Sequence, residues 1–186
     1  MPKRGILKPM PSDASNLWQP RLQGESLSVR PLDPHDFLSL FTAASDPAIW
    51  AGHPSPTRYR ETEFQQWFDA ALDSGGALIV ENLATHTAIG SSRYYEWDLS
   101  RSEVSIGFTF LATSHWGGKA NRELKELMMR HAFSQVRTIW FHVDVRNVRS
   151  QRAMQKIGGI VSHVAEKEIA GKISRYVHYK IERLID

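Results

Sequence analysis

IGFTFL at residues 106–111, followed by WGGKANRE at residues 116–123, says most about how this 186-residue chain folds. The first segment has the β-branched and aromatic content of a strand. The second places two glycines before a helical pattern that runs to about Phe133. A glycine-rich turn at the start of a helix presents backbone N–H groups to an anion such as a pyrophosphate. The same glycines also suit an ordinary tight turn, so both interpretations stay open at this point.

Strand and helix patterns alternate on both sides of this unit. Asp33–Pro34 and Asp46–Pro47 each have the N-cap and first-turn residues of a helix. We predict strands at residues 26–32, 77–83, 88–97, 103–111, 138–145, 160–168 and 173–181. We predict helices that start at residues 34 and 47, that span 61–72 and 148–157, and that run from the glycine turn to about residue 133. This order predicts an α/β or α+β fold with one mixed sheet and helices on its faces.

The strand at residues 103–111 is predicted to alternate along its whole length. Four apolar residues would face one side of the sheet and four others the opposite side. The apolar set is Val104, Ile106, Phe108 and Phe110, and the opposite set is Glu103, Ser105, Gly107 and Thr109. A glycine in the middle of a strand also often marks a bulge or a close backbone approach.

Length and composition limit the class of protein. The length favours one domain, predicted at residues 25–186, and the proline-containing residues 1–24 predict a flexible or loosely docked N-terminal tail. The absence of cysteine excludes disulfides, cysteine–zinc sites and a thiol nucleophile. No apolar run approaches the roughly 18–20 residues of a membrane span, and no signal peptide is evident. We therefore expect a soluble, cytoplasmic protein with no membrane partner and no metal.

Basic residues collect where two helices begin. Lys119 and Arg122 lie at the start of one helix, and Arg149 and Arg152 at the start of the next. Acidic residues normally favour a first helical turn, so these bases are better placed if an anion with several phosphates lies between the helices. Alternatively, their long side chains point into water. The formal net charge of +3 does not require a nucleic acid or another acidic partner.

A further motif, DVRNVRSQRA at residues 144–153, places Asn147 and Ser150 where a strand runs into a helix, and Gly158 closes that helix. Together with the two segments above, in this order and spacing, it resembles the GNAT superfamily of N-acetyltransferases. GESLSVRPL at residues 24–32 is similar to the opening strand of the branch that contains the ribosomal-protein N-terminal alanine acetyltransferases RimJ and RimL. The resemblance covers roughly residues 25–181.

The resemblance implies a mostly antiparallel sheet whose central strands separate around the pantetheine arm of acetyl-CoA, the co-substrate. The strand at residues 103–111 would pair with the pantetheine arm, and Asn147 would also bond this arm. The backbone amides of the glycine turn would hold the pyrophosphate. The implied cofactor-binding residues are Phe108, Thr109, Phe110, Leu111, Trp116, Gly117, Gly118, Lys119, Ala120, Asn121, Arg122, Asn147 and Ser150. Two registers stay open: Lys119 and Asn121, or Gly118 and Ala120, align with the family's small residues.

Acyl transfer to an amine needs a neutral amine, a polarised thioester carbonyl and a proton for the leaving thiolate. We predict Glu103 as the general base, directly or through water, and Ser150 as the proton donor. Glu103 as a solvated strand-end residue and Ser150 as an ordinary first-turn serine are the alternatives. Direct attack is favoured because the chain has no cysteine and no Ser-His-acid pattern. The residues predicted to bind the acceptor amine are Trp50, His53, Tyr59 and Tyr176.

Two other functions stay open. A protein that binds acetyl-CoA but has lost catalysis would explain why Met154 stands where many relatives have tyrosine, and Ser105 where the nearest branch often has a carboxylate. A nucleic-acid-binding protein would use Arg58, Arg60, Arg146, Arg149 and Arg152, although no nucleic-acid-binding fold is recognisable. The sequence does not choose between a protein α-amine and a small-molecule amine as acceptor, and it is compatible with a homodimer.

Overall fold

A computed structural model describes residues 17–169 and 171–183. Its strands are β1 (Leu22–Gln23), β2 (Leu27–Pro31), β3 (Ala77–Asn82), β4 (Ala88–Asp98), β5 (Glu103–Leu111), β6 (Thr138–Asp144), β7 (Ile160–Ile169) and β8 (Lys172–Glu182). Its helices are α1 (Phe37–Ala44), α2 (Pro47–Trp50), α3 (Glu61–Asp73), α4 (Ala120–Phe133) and α5 (Val148–Lys156). Short 3-10 turns at Pro34–Asp36 and Thr113–His115 precede α1 and the glycine turn. Each strand and helix predicted from the sequence is present, with small shifts at the ends.

The eight strands of the described residues form one sheet in the order β1-β2-β3-β4-β5-β6-β8-β7. Neighbouring strands are antiparallel except β5 and β6, which run parallel. On one face, α4 and α5 bury Leu124, Met128 and Met154 against the sheet. On the other face, α1 and α3 bury Leu40 and Phe64. The predicted mixed, mostly antiparallel sheet with helices on both faces is confirmed.

Side-chain caps begin three helical segments where the sequence predicted them. The Asp33 carboxylate accepts a hydrogen bond from the backbone N–H of His35, at 2.9 Å. Asp46 accepts one from the N–H of Ala48 at the same distance, and Asn147 caps α5 in the same way. These caps satisfy N–H groups that the first turn of a helix otherwise leaves unpaired. Within the described part of the chain, no helix is long and apolar enough to cross a membrane.

Residues 17–24, which belong to the predicted N-terminal tail, pack against the sheet. Trp18 is completely buried, and its ring centroid lies 5.1 Å from that of Tyr94. β1 pairs antiparallel with β2. The structure differs from the predicted tail here because the contacts that hold this segment come from residues distant in sequence, which no local periodicity shows. Residues 1–16 of the predicted tail lie outside the described residues.

A β-bulge interrupts the alternation predicted for β5. Phe108 has a φ of +53°, and the register with β4 shifts at this point. Before the bulge, Ile106 packs in the core beneath α4. After it, Phe110 packs in the core beneath α3, so the apolar residues predicted to share one face are divided between both faces. Thr109 is likewise separated from the face of Ser105, because the extra residue of a bulge reverses the order of the side chains that follow.

The parallel strands β5 and β6 pair over only three residues each. The paired segment runs from Glu103 opposite Thr138 to Ser105 opposite Trp140. β5 then continues to Leu111 and β6 to Asp144 without pairing with each other. The two strands therefore separate toward their carboxyl ends, and within residues 17–169 and 171–183 no strand pairs with the backbone edges that face the gap. This gap determines where the candidate site lies.

Candidate active site

A cavity of about 970 Å³ opens at the gap between β5 and β6. Its walls come from the second half of β5, the glycine turn and the start of α4, the end of β6 with the start of α5, and the loop after α2. Ligands of α/β proteins commonly bind where neighbouring strands diverge. We treat this cavity as the candidate active site.

The glycine turn at residues 116–119 forms one end of the cavity. Gly117 has a φ of +71°, a conformation that favours glycine, and a Cβ placed on Gly117 or Gly118 would meet no atom within 4 Å. The Trp116 indole N–H donates to the carbonyl of Leu111 at 2.9 Å, which fixes the turn to the end of β5. Open space beside a glycine turn, directly before helix α4, fits a pyrophosphate bound by backbone N–H groups.

Basic side chains surround this end of the cavity, which is lined by Arg122, Arg149, Arg152 and Lys156. The guanidinium of Arg149 lies 4.0 Å from the centre of the Trp116 ring, a cation–π contact that holds it over the cavity. Burial lowers the pKa of Arg149. The arrangement supplies positive charge suited to a ligand with several phosphates. Of the four bases named from the sequence, Arg122, Arg149 and Arg152 line the cavity and Lys119 does not.

Asn147 and Ser150 lie side by side at the start of α5, on the cavity wall. The Asn147 side-chain oxygen accepts a hydrogen bond from the Ser150 N–H at 3.1 Å, so the amide group of Asn147 is left to bind a ligand. The Ser150 hydroxyl makes no hydrogen bond within the described residues. Both side chains therefore offer a polar group to the gap, as the resemblance implied.

Asp144 is the carboxylate that lines this cavity. Hydrogen bonds from Arg146 and from Ser174 hold its pKa well below the usual range, so it is a weak base. Glu103, the predicted base, does not line the cavity, and its carboxylate lies 3.5 Å from the guanidinium of Arg101.

A buried lysine, Lys125, occupies the floor of the gap. Its side chain extends from α4, the residue is 3% exposed, and its Nζ donates to the Thr109 hydroxyl at 2.6 Å. Nζ also lies 5.6 Å from the centre of the Phe141 ring on β6. Burial lowers the pKa of Lys125 to about 7 because the charged form loses its hydration. The lysine thus bridges the two strands at the point where they separate.

Replacing Lys125 with methionine should make the free energy of unfolding less dependent on pH. The unfolded lysine has a pKa of about 10.4, so between pH 7 and that value unfolding takes up a proton and the parent gains stability as the pH rises. From about pH 6 to about pH 9 we expect the parent to gain about 2 kcal/mol more than the variant. Urea denaturation measures this, and parallel pH profiles would contradict it.

Aromatic and imidazole side chains form the opposite end of the cavity, with Trp50, His53 and Tyr176 among them. Here the Tyr95 hydroxyl lies 2.7 Å from Nδ1 of His142. Burial, together with the nearby positive charge of Lys167, lowers the pKa of His142 to about 3, so its imidazole is neutral at neutral pH. This end is the candidate site for the acceptor.

The cavity brings together most of the residues predicted for the site. Those that line it are Phe108, Thr109, Phe110, Leu111, Trp116, Gly117, Gly118, Asn121, Arg122, Asn147, Ser150, Trp50, His53 and Tyr176. Those that do not line it are Glu103, Lys119, Ala120 and Tyr59. Lys119 is exposed, and Ala120, the first residue of α4, is buried in the core. Each open register of the turn therefore places one residue on the cavity and one away from it.

Sequence reasoning missed Lys125, Tyr95 and His142 as cavity residues. Lys125 carried a usable signal, since a lysine stands among the inward-facing residues of an amphipathic helix. Tyr95 and His142 have no comparable signal in the sequence, because they come into contact only through the pairing of strands that are distant along the chain. Among the described residues, no group of three or more histidine, aspartate and glutamate side chains could hold a metal ion.

Comparison with known proteins agrees with this geometry. The family model described as Acetyltransferase (GNAT) domain matches residues 26–160, well over half of the chain. The chain belongs to the GNAT family of acetyltransferases, enzymes that use acyl-CoA. A search of the curated proteins finds no significant match.

Solved structures share the fold. A GCN5-related N-acetyltransferase from Brucella melitensis aligns with a TM-score of 0.76 at 19% identity, over 88% of this chain and 79% of that chain. A GNAT-family protein from Chromobacterium violaceum aligns with a TM-score of 0.78 at 18% identity, over 98% and 97%. Mycobacterium smegmatis RimJ, in complex with CoA-disulfide, aligns with a TM-score of 0.69 at 14% identity, over 89% and 88%. At these identities the likeness concerns the fold alone.

Proposed function

We propose that the protein transfers the acetyl group of acetyl-CoA to a primary amine by direct attack, and that it belongs to the RimJ-like branch of the family. The observation that carries this proposal is the gap between β5 and β6, which has an anion-binding turn at one end and a ring-lined pocket at the other. The segment at residues 24–32, which is similar to the opening strand of that branch, supports the choice of branch.

The residues at the turn would hold the phosphates. Backbone N–H groups of residues 117–121 bind the pyrophosphate, and Arg149 and Arg152 neutralise its charge. The free edge of residues 108–111 accepts the pantetheine arm as a further strand would, with the Asn147 amide as an additional partner. Acetyl-CoA supplies an acetyl group activated as a thioester.

Proton transfers would then fall to a small number of side chains. The Ser150 hydroxyl, which has no protein partner in the described residues, donates toward the position of the leaving sulfur. Glu103 is too remote to contact the amine directly, so in our proposal it accepts the amine proton only through bridging water. Asp144 remains engaged by Arg146 and Ser174 and orients the end of β6.

Acetyl-CoA should stabilise the full chain and should be consumed when an amine is added. At a hundred times Kd, ligand binding raises the free energy of unfolding by about 2.7 kcal/mol. Release of the CoA thiol in the presence of a panel of amines measures the transfer itself. A folded sample that gains no stability and releases no thiol would contradict the proposal. Binding without release of thiol would favour the alternative in which catalysis has been lost.

A further inference from the structure

Two neighbouring arginines, one half-buried and one buried, stand at or beside the acceptor end of the cavity. Arg58 belongs to the loop between α2 and α3 and lines the cavity itself. Arg93 belongs to β4 and is 6% exposed. It pairs across the sheet with Gly107, which lines the cavity at the bulge of β5. Arg93 does not itself line the cavity, so Arg58 is the arginine that a ligand there would contact, with Arg93 close behind it.

Aromatic rings hold both guanidinium groups in place. The Arg58 guanidinium carbon lies 5.1 Å from the centre of the Trp50 ring and 5.9 Å from that of Trp67. The Arg93 guanidinium carbon lies 4.3 Å from the centre of Phe108 and 5.9 Å from that of Trp67. Trp67 thus contacts both cations. The rings fix the positions of the two positive charges but provide no counter-ion.

Carboxylates of the described residues form no salt bridge with either arginine, and Glu63 acts on Arg58 only at longer range. The Nε and Nη2 atoms of Arg93 are buried and make no hydrogen bond within the same part of the chain. Burial lowers the pKa of each arginine to about 10, and for Arg93 the like charge of Arg58 adds to the effect. A buried cation beside a second, half-buried one is unfavourable without a paired anion, unless a ligand supplies the negative charge.

Neither a structural role nor a cationic acceptor suits the surroundings of these two arginines. A purely structural arginine would satisfy its buried N–H groups within the protein, as Arg30 does with Asp36 and Glu81. A cationic acceptor such as a polyamine would bring a further positive charge against Arg58 and Arg93. An acceptor with a negative charge would instead accept hydrogen bonds from Arg58 and offset the neighbouring charge of Arg93.

We propose that the acceptor is a small amine that also bears a carboxylate, such as a free amino acid, that Arg58 binds this carboxylate, and that the charge of Arg93 behind it strengthens the attraction. This inference rests on the proposed acetyl transfer. The amine nitrogen attacks the acetyl carbonyl carbon, so that an N–C bond forms and the C–S bond breaks. The nitrogen loses one proton through bridging water, as proposed above for Glu103, and the sulfur leaves as a thiol after it gains one. The carboxylate itself is unchanged.

The test compares each of the twenty amino acids with its own carboxamide as acceptor, using the full chain and acetyl-CoA. We expect the best amino acid to exceed its carboxamide at least about tenfold in kcat/KM, since the charge-assisted hydrogen bonds to Arg58 and the attraction of Arg93 would be lost. The amine of a carboxamide is the less basic of the two and is more often neutral. A preference for the carboxylate therefore cannot come from amine basicity.

Variants attribute this preference to the two arginines. Arg93→Met and Arg58→Met should each reduce the ratio of amino acid to carboxamide toward one, mainly through KM, and Arg93→Lys should restore part of it. Arg130→Met, which changes an exposed arginine on α4 away from the cavity, should leave the ratio unchanged. If Arg93→Met does not fold, Arg58→Met and the ratio in the parent still decide the question.

Three results would overturn the inference. One is a kcat/KM for the carboxamide that equals or exceeds that for the amino acid in every pair. Another is an amino acid to carboxamide ratio that is unchanged in both methionine variants. Acetyl-CoA binding without acetylation of any amino acid would also overturn the inference. If a polyamine or a peptide were then acetylated, the proposed acetyl transfer would remain valid. Failure to bind acetyl-CoA at all would instead remove the proposed function, and this inference with it.

Discussion

Replacing Ser150 with alanine should lower kcat about 100-fold and leave the Kd for acetyl-CoA nearly unchanged. Ser150 lies on the first turn of α5, lines the cavity, and has a hydroxyl without a hydrogen-bond partner in the described residues. If that hydroxyl donates a proton to the departing sulfur, its loss affects the transition state much more than the bound ground state. Pre-steady-state release of the CoA thiol, with calorimetry for Kd, measures both quantities.

A matched control is available on β7. Ser162 is exposed and lies away from the cavity, so Ser162→Ala should retain the parent kcat. Thermal unfolding of both variants would show whether the fold is retained. Equal kcat in Ser150→Ala and the parent would make Ser150 an ordinary first-turn serine, which was the alternative left open by the sequence.

Local signals explain why the elements could be predicted. Asp33, Asp46 and Asn147 cap helices through bonds to backbone N–H groups only two or three residues away, so their effect is visible in the sequence itself. The amphipathic pattern of α3 is equally local, and its Trp67 is indeed in the core. The glycine turn could also be identified, because its φ requirement and its place before a helix depend on neighbouring residues alone.

Features that depend on the pairing of distant strands could not be predicted. The bulge at Phe108 reverses the faces of Thr109 and Phe110, and although Gly107 allowed for a bulge, nothing local fixed its position. The same bulge brings Phe108 against Arg93. A buried arginine at this site therefore could not be predicted from the local sequence. The burial of Trp18 could not be predicted for a similar reason, because its contact is with Tyr94, which is distant in sequence.

The predicted roles of Glu103 and Tyr59 depended on position along the chain rather than on cavity geometry. Glu103 precedes the point where β5 and β6 separate, so its side chain stays where the strands are still paired. Tyr59 packs at the edge of the core beneath α3, beside Arg60, and not on the cavity wall. A sequence pattern shows which residues belong to a strand or loop, but the place where two strands diverge is a property of the whole sheet.

Gly118→Asp should weaken acetyl-CoA binding about 100-fold, whereas Gly118→Asn should bind nearly as well as the parent. Gly118 lines the cavity, has no positive φ, and has no atom within 4 Å of a Cβ, so both side chains fit without backbone strain. Only aspartate adds a negative charge beside the pyrophosphate. Like charges a few ångströms apart near a protein surface cost up to about 4 kcal/mol, which exceeds the roughly 2.7 kcal/mol of a 100-fold loss.

Calorimetric titration of acetyl-CoA into the parent, Gly118→Asp and Gly118→Asn tests the central claim that the gap between β5 and β6 is an acyl-CoA site with its phosphates on the glycine turn. We predict a Kd in the micromolar range for the parent and the asparagine variant, and a large loss of affinity for the aspartate variant alone. No binding by the folded parent, or equal affinity in all three proteins, would contradict this claim.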